Sequence, residues 1–313
     1  MFTMNQTAGR KSMMTGKNRY AGAIFIALFS EILFGLSFIF IKMCVSSISI
    51  FTLLSWRGLT AFAAMTVCAL LGIIKIDLKG KNLRPLLLLS FFQPISYFVM
   101  ETLGIRLTTA SESGTILACV PIVTMIFSTI FLKDKPTKRQ VFFMMMSVTG
   151  AVIIGLLGGF QASSNVLGYL FIVGAMCSES AYAITSQKLK GFNSAEKTYA
   201  MVASGAVVFT GCALVEHTIK GTLAYYLTLP FTDTNFLICI LYLSLGCSVV
   251  AFFCANYSIS IIGATRRAAF AGLATVTAII GGVFYLGESF SIVQVMAAVL
   301  ILVGAYGVNM KRK

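Results

Sequence analysis

Four charged side chains lie inside long apolar runs of the sequence: Glu31, Arg57, Glu101 and Glu179. In a hydrocarbon environment such residues are costly, and they mark a functional site or pair with an opposite charge. Neither Glu31 nor Glu179 has a cation within two turns in its own run. Three roles stay open for these two acids: coupling to protons or cations, a neutral buried acid, or a pair with Arg57.

The segment "SFFQPISYFVMETLG" places Gln93, Tyr97 and Glu101 four residues apart, so a helix presents all three on one face. Pro94 frees a backbone carbonyl one turn earlier and can kink that helix. One interpretation is the wall of a polar cavity, and the other is a hydrogen-bond network that only holds helices together. We expect Gln93 and Tyr97 to face a cavity and Glu101 to form a structural pair with Arg57.

Two later runs carry similar mixed faces. Tyr182 follows Glu179 by three residues, and Asn256 follows Phe252 by four. Aromatic rings among amides and carboxylates suit an organic solute of mixed polarity, although an aromatic stripe alone is also typical of packing. These four residues complete the candidate cavity.

Several other chemistries lack their sequence signatures. No G-x-x-x-x-G-K-[ST] motif occurs, so we expect no ATPase motor in this chain. His217, the only histidine, falls between predicted helices, and the eight cysteines are scattered without a C-x-x-C pair. We therefore expect no metal site, no cofactor and no enzymatic activity.

The composition places these residues in a membrane. Hydrophobic residues make up 58% of the 313 and charged residues 11%, with a mean hydropathy of +0.91. Soluble domains have about 25% charged residues. The net charge of +14 lies mostly in short segments between apolar runs, which is typical of cytoplasmic loops and not of a nucleic-acid partner.

At about 20 apolar residues per crossing, the sequence predicts ten transmembrane helices. They lie near 20–43, 48–73, 85–105, 110–132, 140–158, 165–187, 198–216, 235–257, 265–286 and 291–309. Lysine and arginine concentrate in the N-terminal tail, in alternate loops (one of which holds Arg266 and Arg267) and at the C-terminus. This alternation predicts that both termini are cytoplasmic and that the loop around Gln161 is external.

An internal repeat divides the chain. Shifted by 154 residues, "ASESGTILACVPIVTMIFSTIFLKDKPTKRQVFFMMMSVTGA" aligns without a gap to "ATRRAAFAGLATVTAIIGGVFYLGESFSIVQVMAAVLILVGA". Five helices per half force the second half to be inverted, an arrangement frequent in secondary transporters. We expect an all-α integral membrane fold with a tail at 1–19, five-helix repeats at 20–158 and 165–309, and a tail at 310–313.

These segments resemble the EamA type of the drug/metabolite transporter superfamily. The segment "LFGLSFIFIK" is similar to its first-span signature, with Phe34 in place of the usual tryptophan, and "WRGLTAFA" to its second-span arginine motif. The two repeat segments are similar to its most recognisable region. The usual Gly-Glu is Lys133 and Asp134 in the first copy, and the usual proline is Thr275 in the second.

The resemblance implies a multi-pass protein of the cytoplasmic membrane, a monomer or homodimer, that moves a small organic metabolite such as an amino acid. Export by alternating access is the expected mode. For such a carrier, the residues singled out above are the candidates: Gln93, Tyr97, Glu179, Tyr182, Phe252 and Asn256 for the substrate cavity, and Glu31 and Glu179 for a possible coupling site. The alternatives are uptake or exchange of a nucleotide-linked or phosphorylated solute and, in another class, a membrane enzyme or its accessory subunit.

Overall fold

All regular secondary structure in the described part of the chain is helical. The structure is a computed structural model, and it describes residues 2–45, 48–107, 116–157, 166–274, 276–277, 280 and 292–310. Helices suit a bilayer because they satisfy backbone N–H and C=O groups within one segment.

The first half contains six α-helices and two wider π-helical segments among its described residues. They are α1 (Phe2–Val45), α2 (Ile50–Leu70), α3 (Arg84–Ser90), π1 (Phe91–Ser96), α4 (Tyr97–Leu107), α5 (Val120–Phe127), π2 (Ser128–Leu132) and α6 (Lys138–Leu157). The described residues of the second half form α7 (Val166–Lys188), α8 (Ser194–Ile219), α9 (Leu223–Thr232), α10 (Thr234–Leu241), π3 (Tyr242–Ala251), α11 (Phe252–Ile262), α12 (Ala264–Ala268) and α13 (Ile292–Asn309).

Six helices are long and apolar enough to cross a membrane. They are Asn18–Ser37, Ile50–Leu70, Arg84–Gly104, Val166–Lys188, Ser194–Ile219 and Thr234–Ile262. Two shorter apolar helices, Val120–Leu132 and Val295–Asn309, coincide with parts of the predicted fourth and tenth spans. The predicted fourth and ninth spans extend beyond the described residues, so the count of ten stays a prediction.

Large apolar side chains cover the outside of these helices. Leu70 is 82% exposed, Phe25 is 70% exposed, and many leucine, valine and isoleucine side chains are similar. An apolar surface of this extent would be a liability in water. It fits a protein whose surroundings are lipid.

The third span is interrupted where the sequence predicts a kink. Gln93 has φ −142° and ψ 117°, which is extended backbone between the helical turns of π1. A proline disfavours helical angles at the residue before it, so Pro94 accounts for the position of the break. The interruption separates α3 from α4.

Helices from the two halves pack against each other in antiparallel pairs. Along α2 and α8, Thr52 contacts His217 and Thr66 contacts Tyr199, so residue numbers rise in one helix as they fall in the other. Near the middle of this pair, a Cβ on Gly58 would lie 2.8 Å from the Ala206 nitrogen. Only glycine permits such a close approach.

The α6–α13 pair is also antiparallel. A Cβ on Gly150 would lie 2.6 Å from the Ala297 carbonyl oxygen, and one on Gly304 would lie 2.6 Å from the Phe143 carbonyl oxygen. Between these contacts, the Ser147 hydroxyl donates a hydrogen bond to the Ile301 carbonyl at 3.3 Å, across a separation of 154 residues. That separation equals the repeat offset found in the sequence.

Basic loops meet at one end of the bundle. Lys81 forms an ion pair with Glu196 at 2.8 Å and joins the α2–α3 loop to the start of α8. Arg139 donates a hydrogen bond to the Met310 carbonyl. The Arg266 guanidinium, at this same end, lies over the ring of Tyr20.

A polar cluster ties the opposite end of the bundle. Ser49 donates to Glu216 at 2.5 Å, and Ser55 bonds the Tyr226 hydroxyl at 2.9 Å. Tyr226 belongs to α9, a short helix in a segment that the sequence analysis treats as a loop. Its side chain is buried, whereas Phe231 on the same helix is 85% exposed.

Candidate functional site

Two glutamates and an arginine meet inside the bundle. An Nη atom of Arg267 lies 2.6 Å from Glu31 Oε1, and its other Nη atom lies 3.9 Å from Glu179 Oε1. Glu31 comes from α1, Glu179 from α7 and Arg267 from α12, so both halves contribute. We call these three residues the charged cluster.

A tight turn directs Arg267 inward. Gly263 has φ +86°, a left-handed value that favours glycine, and it separates α11 from α12. The Gln187 side chain accepts a hydrogen bond from the backbone N–H of Ala264 at 2.6 Å and fixes the start of α12. Arg267 is then 7% exposed, one residue after the half-buried Arg266.

The prediction of Arg267 as a loop charge is wrong, because its side chain is buried. In the sequence, Arg266 and Arg267 cannot be distinguished, because both lie between two apolar runs. In the structure, α12 directs Arg267 into the protein. The position of Glu31 and Glu179 inside apolar runs is the sequence signal that could have identified Arg267, because an acid in such a run is commonly paired with a cation.

The two acids of the charged cluster differ in exposure. The side chain of Glu31 is 4% exposed, whereas that of Glu179 is 21% exposed although it lies in the middle of α7. Glu179 is therefore the more accessible of the two acids. Tyr97 and Glu101 are half-buried, and the Tyr97 hydroxyl donates to Glu101 Oε1 at 2.8 Å.

Arg57 occupies a different environment from the one predicted. Among the described residues it forms no ion pair with Glu101. Its Nε donates to the Ser248 hydroxyl at 2.7 Å, and its guanidinium lies 4.6 Å from the centre of the Phe98 ring. The predicted direct pair is therefore absent from the described structure: the nearest polar partner of Arg57 is Ser248, and that of Glu101 is Tyr97.

A small cavity adjoins Arg57. Its volume is about 20 Å³, and Pro94, Phe98, Ser248 and Phe252 are among its lining residues. A cavity of at least ~10–15 Å³ holds one water molecule. Within the described chain, the cavity beside Arg57 is too small for an organic solute.

Gln93 is buried on the same broken helix. It is 2% exposed, and its Oε1 atom has no hydrogen-bond partner among the described residues. An unsatisfied buried amide oxygen is costly. Gln93 is thus an acceptor held in the interior at the break between α3 and α4.

Asn256 forms a closed hydrogen-bond network instead of facing a cavity. Its amide oxygen accepts from Tyr182 at 3.2 Å and from Ser186 at 2.7 Å, and its amide nitrogen donates to Thr198 at 3.2 Å. Phe252 packs beside this network, with its ring centre 5.4 Å from that of Phe34. In this conformation Tyr182, Phe252 and Asn256 connect helices.

His217 lies in the last turn of α8, so its prediction as a loop residue is wrong. It is 4% exposed, and its two ring nitrogens bond the hydroxyls of Thr52 and Thr222, each at 2.7 Å. The ring also stacks on Tyr226. His217 therefore ties α2, α8 and α9 together at the end of the bundle opposite the basic loops.

The described residues contain no group of three histidine, cysteine, aspartate or glutamate side chains that could hold a metal ion. The chemistry available at the charged cluster is ionic and hydrogen-bonding. A buried guanidinium beside a partly exposed carboxylate has the charges to bind a solute that carries both a carboxylate and an ammonium group.

A family model described as the EamA-like transporter family matches residues 21–156 and 166–310. The chain is 34% identical over 301 residues to the uncharacterized transporter YcxC of Bacillus subtilis (strain 168), covering 95% of this chain and 96% of that protein. It is 24% identical over 284 residues to an uncharacterized transporter of Archaeoglobus fulgidus, covering 89% of this chain and 95% of that protein.

The fold is similar to that of a solved structure. The TM-score is 0.73 with 15% sequence identity, and the match covers 92% of this chain and 96% of that crystal structure's chain. At this identity the likeness concerns the fold alone.

Proposed function

From its membership of the EamA-like transporter family, to which this chain belongs, we propose that the protein is a secondary carrier for a small organic metabolite. It exports the solute across the cytoplasmic membrane by alternating access. The observation that supports this proposal most directly is the charged cluster. It is buried in the bundle and assembled from helices of both halves, where a carrier holds its substrate.

The charges of the cluster favour a zwitterionic solute such as an amino acid. The Arg267 guanidinium binds the substrate carboxylate, and its buried Nε–H, which has no hydrogen-bond partner among the described residues, is a further donor. Glu179 binds the ammonium group, since it is the more exposed acid. Tyr97 and Gln93 extend the site along the broken third span.

The two acids have different tasks in this proposal. Glu31 forms the shorter contact with Arg267, at 2.6 Å, and we assign it the task of holding that guanidinium. Glu179, at 3.9 Å from the same guanidinium, is held less tightly. Glu179 is therefore the better candidate for a group that takes up a proton or a cationic substrate during the cycle, and Glu31 keeps Arg267 in position.

We infer alternating access from a repeat whose two halves have opposite orientation. The α6–α13 contacts support an inverted repeat, because equivalent residues exchange partners as they do across a two-fold axis. Gly150 faces Ala297, and Gly304 faces Phe143. In the repeat, Gly304 is the equivalent of Gly150, and Ala297 is the equivalent of Phe143. Antiparallel crossing of equivalent helices is the arrangement that an inversion requires.

Orientation in the membrane is proposed from the loops. The loops rich in lysine and arginine gather at one end, where Lys81 pairs with Glu196 and Arg139 bonds Met310. The positive-inside bias assigns that end to the cytoplasm, and with it both termini. His217 and α9 then lie at the external end.

Transport in proteoliposomes tests this function. Vesicles preloaded with single amino acids should accumulate a labelled amino acid by exchange, without ATP, and Arg267→Gln should abolish exchange. Arg266→Gln, the neighbouring arginine, is the matched control and should retain it. Glu179→Gln should weaken exchange, because it removes the carboxylate assigned to the substrate ammonium group, and should abolish dependence on a proton gradient. Accumulation only with ATP, or equal exchange by both arginine variants, would refute the proposal.

A further inference from the structure

An apolar groove opens beside the basic end of the bundle, apart from the charged cluster. It lies between α1 and α13 and has a volume of about 620 Å³, within the range of small-molecule sites, about 300–1,000 Å³. Ile24, Phe270 and Leu302 are among the apolar side chains that line it. Phe270 is buried at the base of the groove, whereas Leu302 is exposed at its edge.

The groove ends at two polar side chains. Arg139 contributes an exposed guanidinium, which donates one hydrogen bond to the Met310 carbonyl and has four further N–H groups. Asn309 is 7% exposed, and its amide nitrogen donates to the carbonyls of Ala305 and Arg266. Its Oδ1 atom is buried without a hydrogen-bond partner in the described structure.

These features together describe an amphiphile with a phosphate and a hydrogen-bond donor at its polar end. A guanidinium matches a phosphate in charge and geometry. An orphaned amide oxygen matches a hydroxyl, and the apolar floor matches an acyl chain. Lys138 adjoins Arg139 in the sequence and adds a second cation next to the polar end.

We propose that this groove binds one anionic phospholipid that carries hydroxyl groups in its headgroup, as phosphatidylglycerol does. The phosphate lies at Arg139, a headgroup hydroxyl donates to Asn309 Oδ1, and one acyl chain lies along Ile24 and Leu302. The proposed orientation of the protein places the lipid in the cytoplasmic leaflet. Binding itself does not depend on that orientation or on the substrate.

The site also touches the helix that carries Arg267. Asn309 holds the carbonyl of Arg266, and Phe270 follows α12 by two residues. A lipid in the groove would therefore lie close to the segment that carries Arg267.

Native mass spectrometry of the purified protein tests the proposal. With phosphatidylglycerol titrated against phosphatidylcholine, we expect a discrete single-lipid adduct that prefers phosphatidylglycerol. Arg139→Gln should weaken that adduct about tenfold, as the loss of a charge-assisted contact implies. Lys190→Gln, an exposed lysine at the same end of the bundle, is the matched control and should leave it unchanged.

A second variant keeps the test decisive if Arg139→Gln fails to fold. Leu302→Trp fills the groove from its exposed rim and should remove the adduct while the thermal stability stays near that of the parent. The proposal is overturned if both lipids bind equally, or if neither variant reduces phosphatidylglycerol binding, since either result describes ordinary lipid contact. If the parent protein binds phosphatidylglycerol selectively but exchanges no solute in proteoliposomes, the carrier proposal fails and the lipid proposal stands.

Discussion

Replacing Arg267 by glutamine removes the cation that both acids of the charged cluster face, and it should destabilise the protein. At an effective dielectric constant of about 20, Coulomb's law gives roughly 6 kcal/mol for unit charges at the 2.6 Å contact with Glu31, and roughly 4 kcal/mol at the 3.9 Å contact with Glu179. Desolvation opposes these gains. Removing one partner of such a buried pair therefore costs about 3–5 kcal/mol.

The companion variants separate the two acids. Glu31→Gln should cost nearly as much as Arg267→Gln, because it leaves the guanidinium only the longer contact. Glu179→Gln should cost less. The double variant Glu31→Gln/Arg267→Gln should be more stable than either single variant, since it leaves no unpaired charge of that pair.

Equilibrium unfolding by SDS titration in mixed micelles gives the free energies of these variants. Arg266→Gln is the control, because that residue is adjacent in sequence and its guanidinium lies over the Tyr20 ring instead of near an acid. The reasoning fails if Arg267→Gln is no more destabilising than Arg266→Gln. It also fails if the effects of Glu31→Gln and Arg267→Gln simply add.

Three further outcomes are expected. On a cysteine-free background Gln161→Cys, whose position lies outside the described residues, should react with an impermeant maleimide from the external side of oriented vesicles, and labelling only from the inside would contradict the topology. Lys197→Met should cost about 1–3 kcal/mol of unfolding free energy, because the buried Lys197 ammonium donates to the Ser186 carbonyl in the last turn of α7 at 2.5 Å; Lys190→Met, an exposed control, should cost nothing measurable. Tyr97→Phe should fold normally and change the apparent substrate affinity in exchange assays, and an unchanged affinity would place Tyr97 outside the site.

Local periodicity predicted the elements of the fold well. The apolar runs coincide with the long helices, and the i, i+4 spacing of Tyr97 and Glu101 gives the hydrogen bond between them. Proline chemistry gave the position of the break in the third span. Each of these features depends on residues within a few positions of one another.

Partners distant in sequence were harder to predict. Arg57 and Glu101 look like partners on neighbouring spans, but the structure gives Arg57 to Ser248, a residue 191 positions away. Arg267 and His217 looked like loop residues because both lie at the ends of apolar runs. The turn at Gly263 buries the side chain of Arg267, and packing against α9 buries that of His217. Hydropathy does not encode the direction of such a turn.

The antiparallel pairing of helices across the two halves has a consequence for the unit of folding. The long contacts of α2 lie on α8, and those of α6 lie on α13, so each half presents its tightly fitted surfaces to the other half. Expressed alone, residues 1–160 would display glycine-lined grooves with no helix to fill them. Such a fragment should become stable only when the second half packs against it. Coexpression with residues 161–313 should therefore restore the folded protein from two pieces.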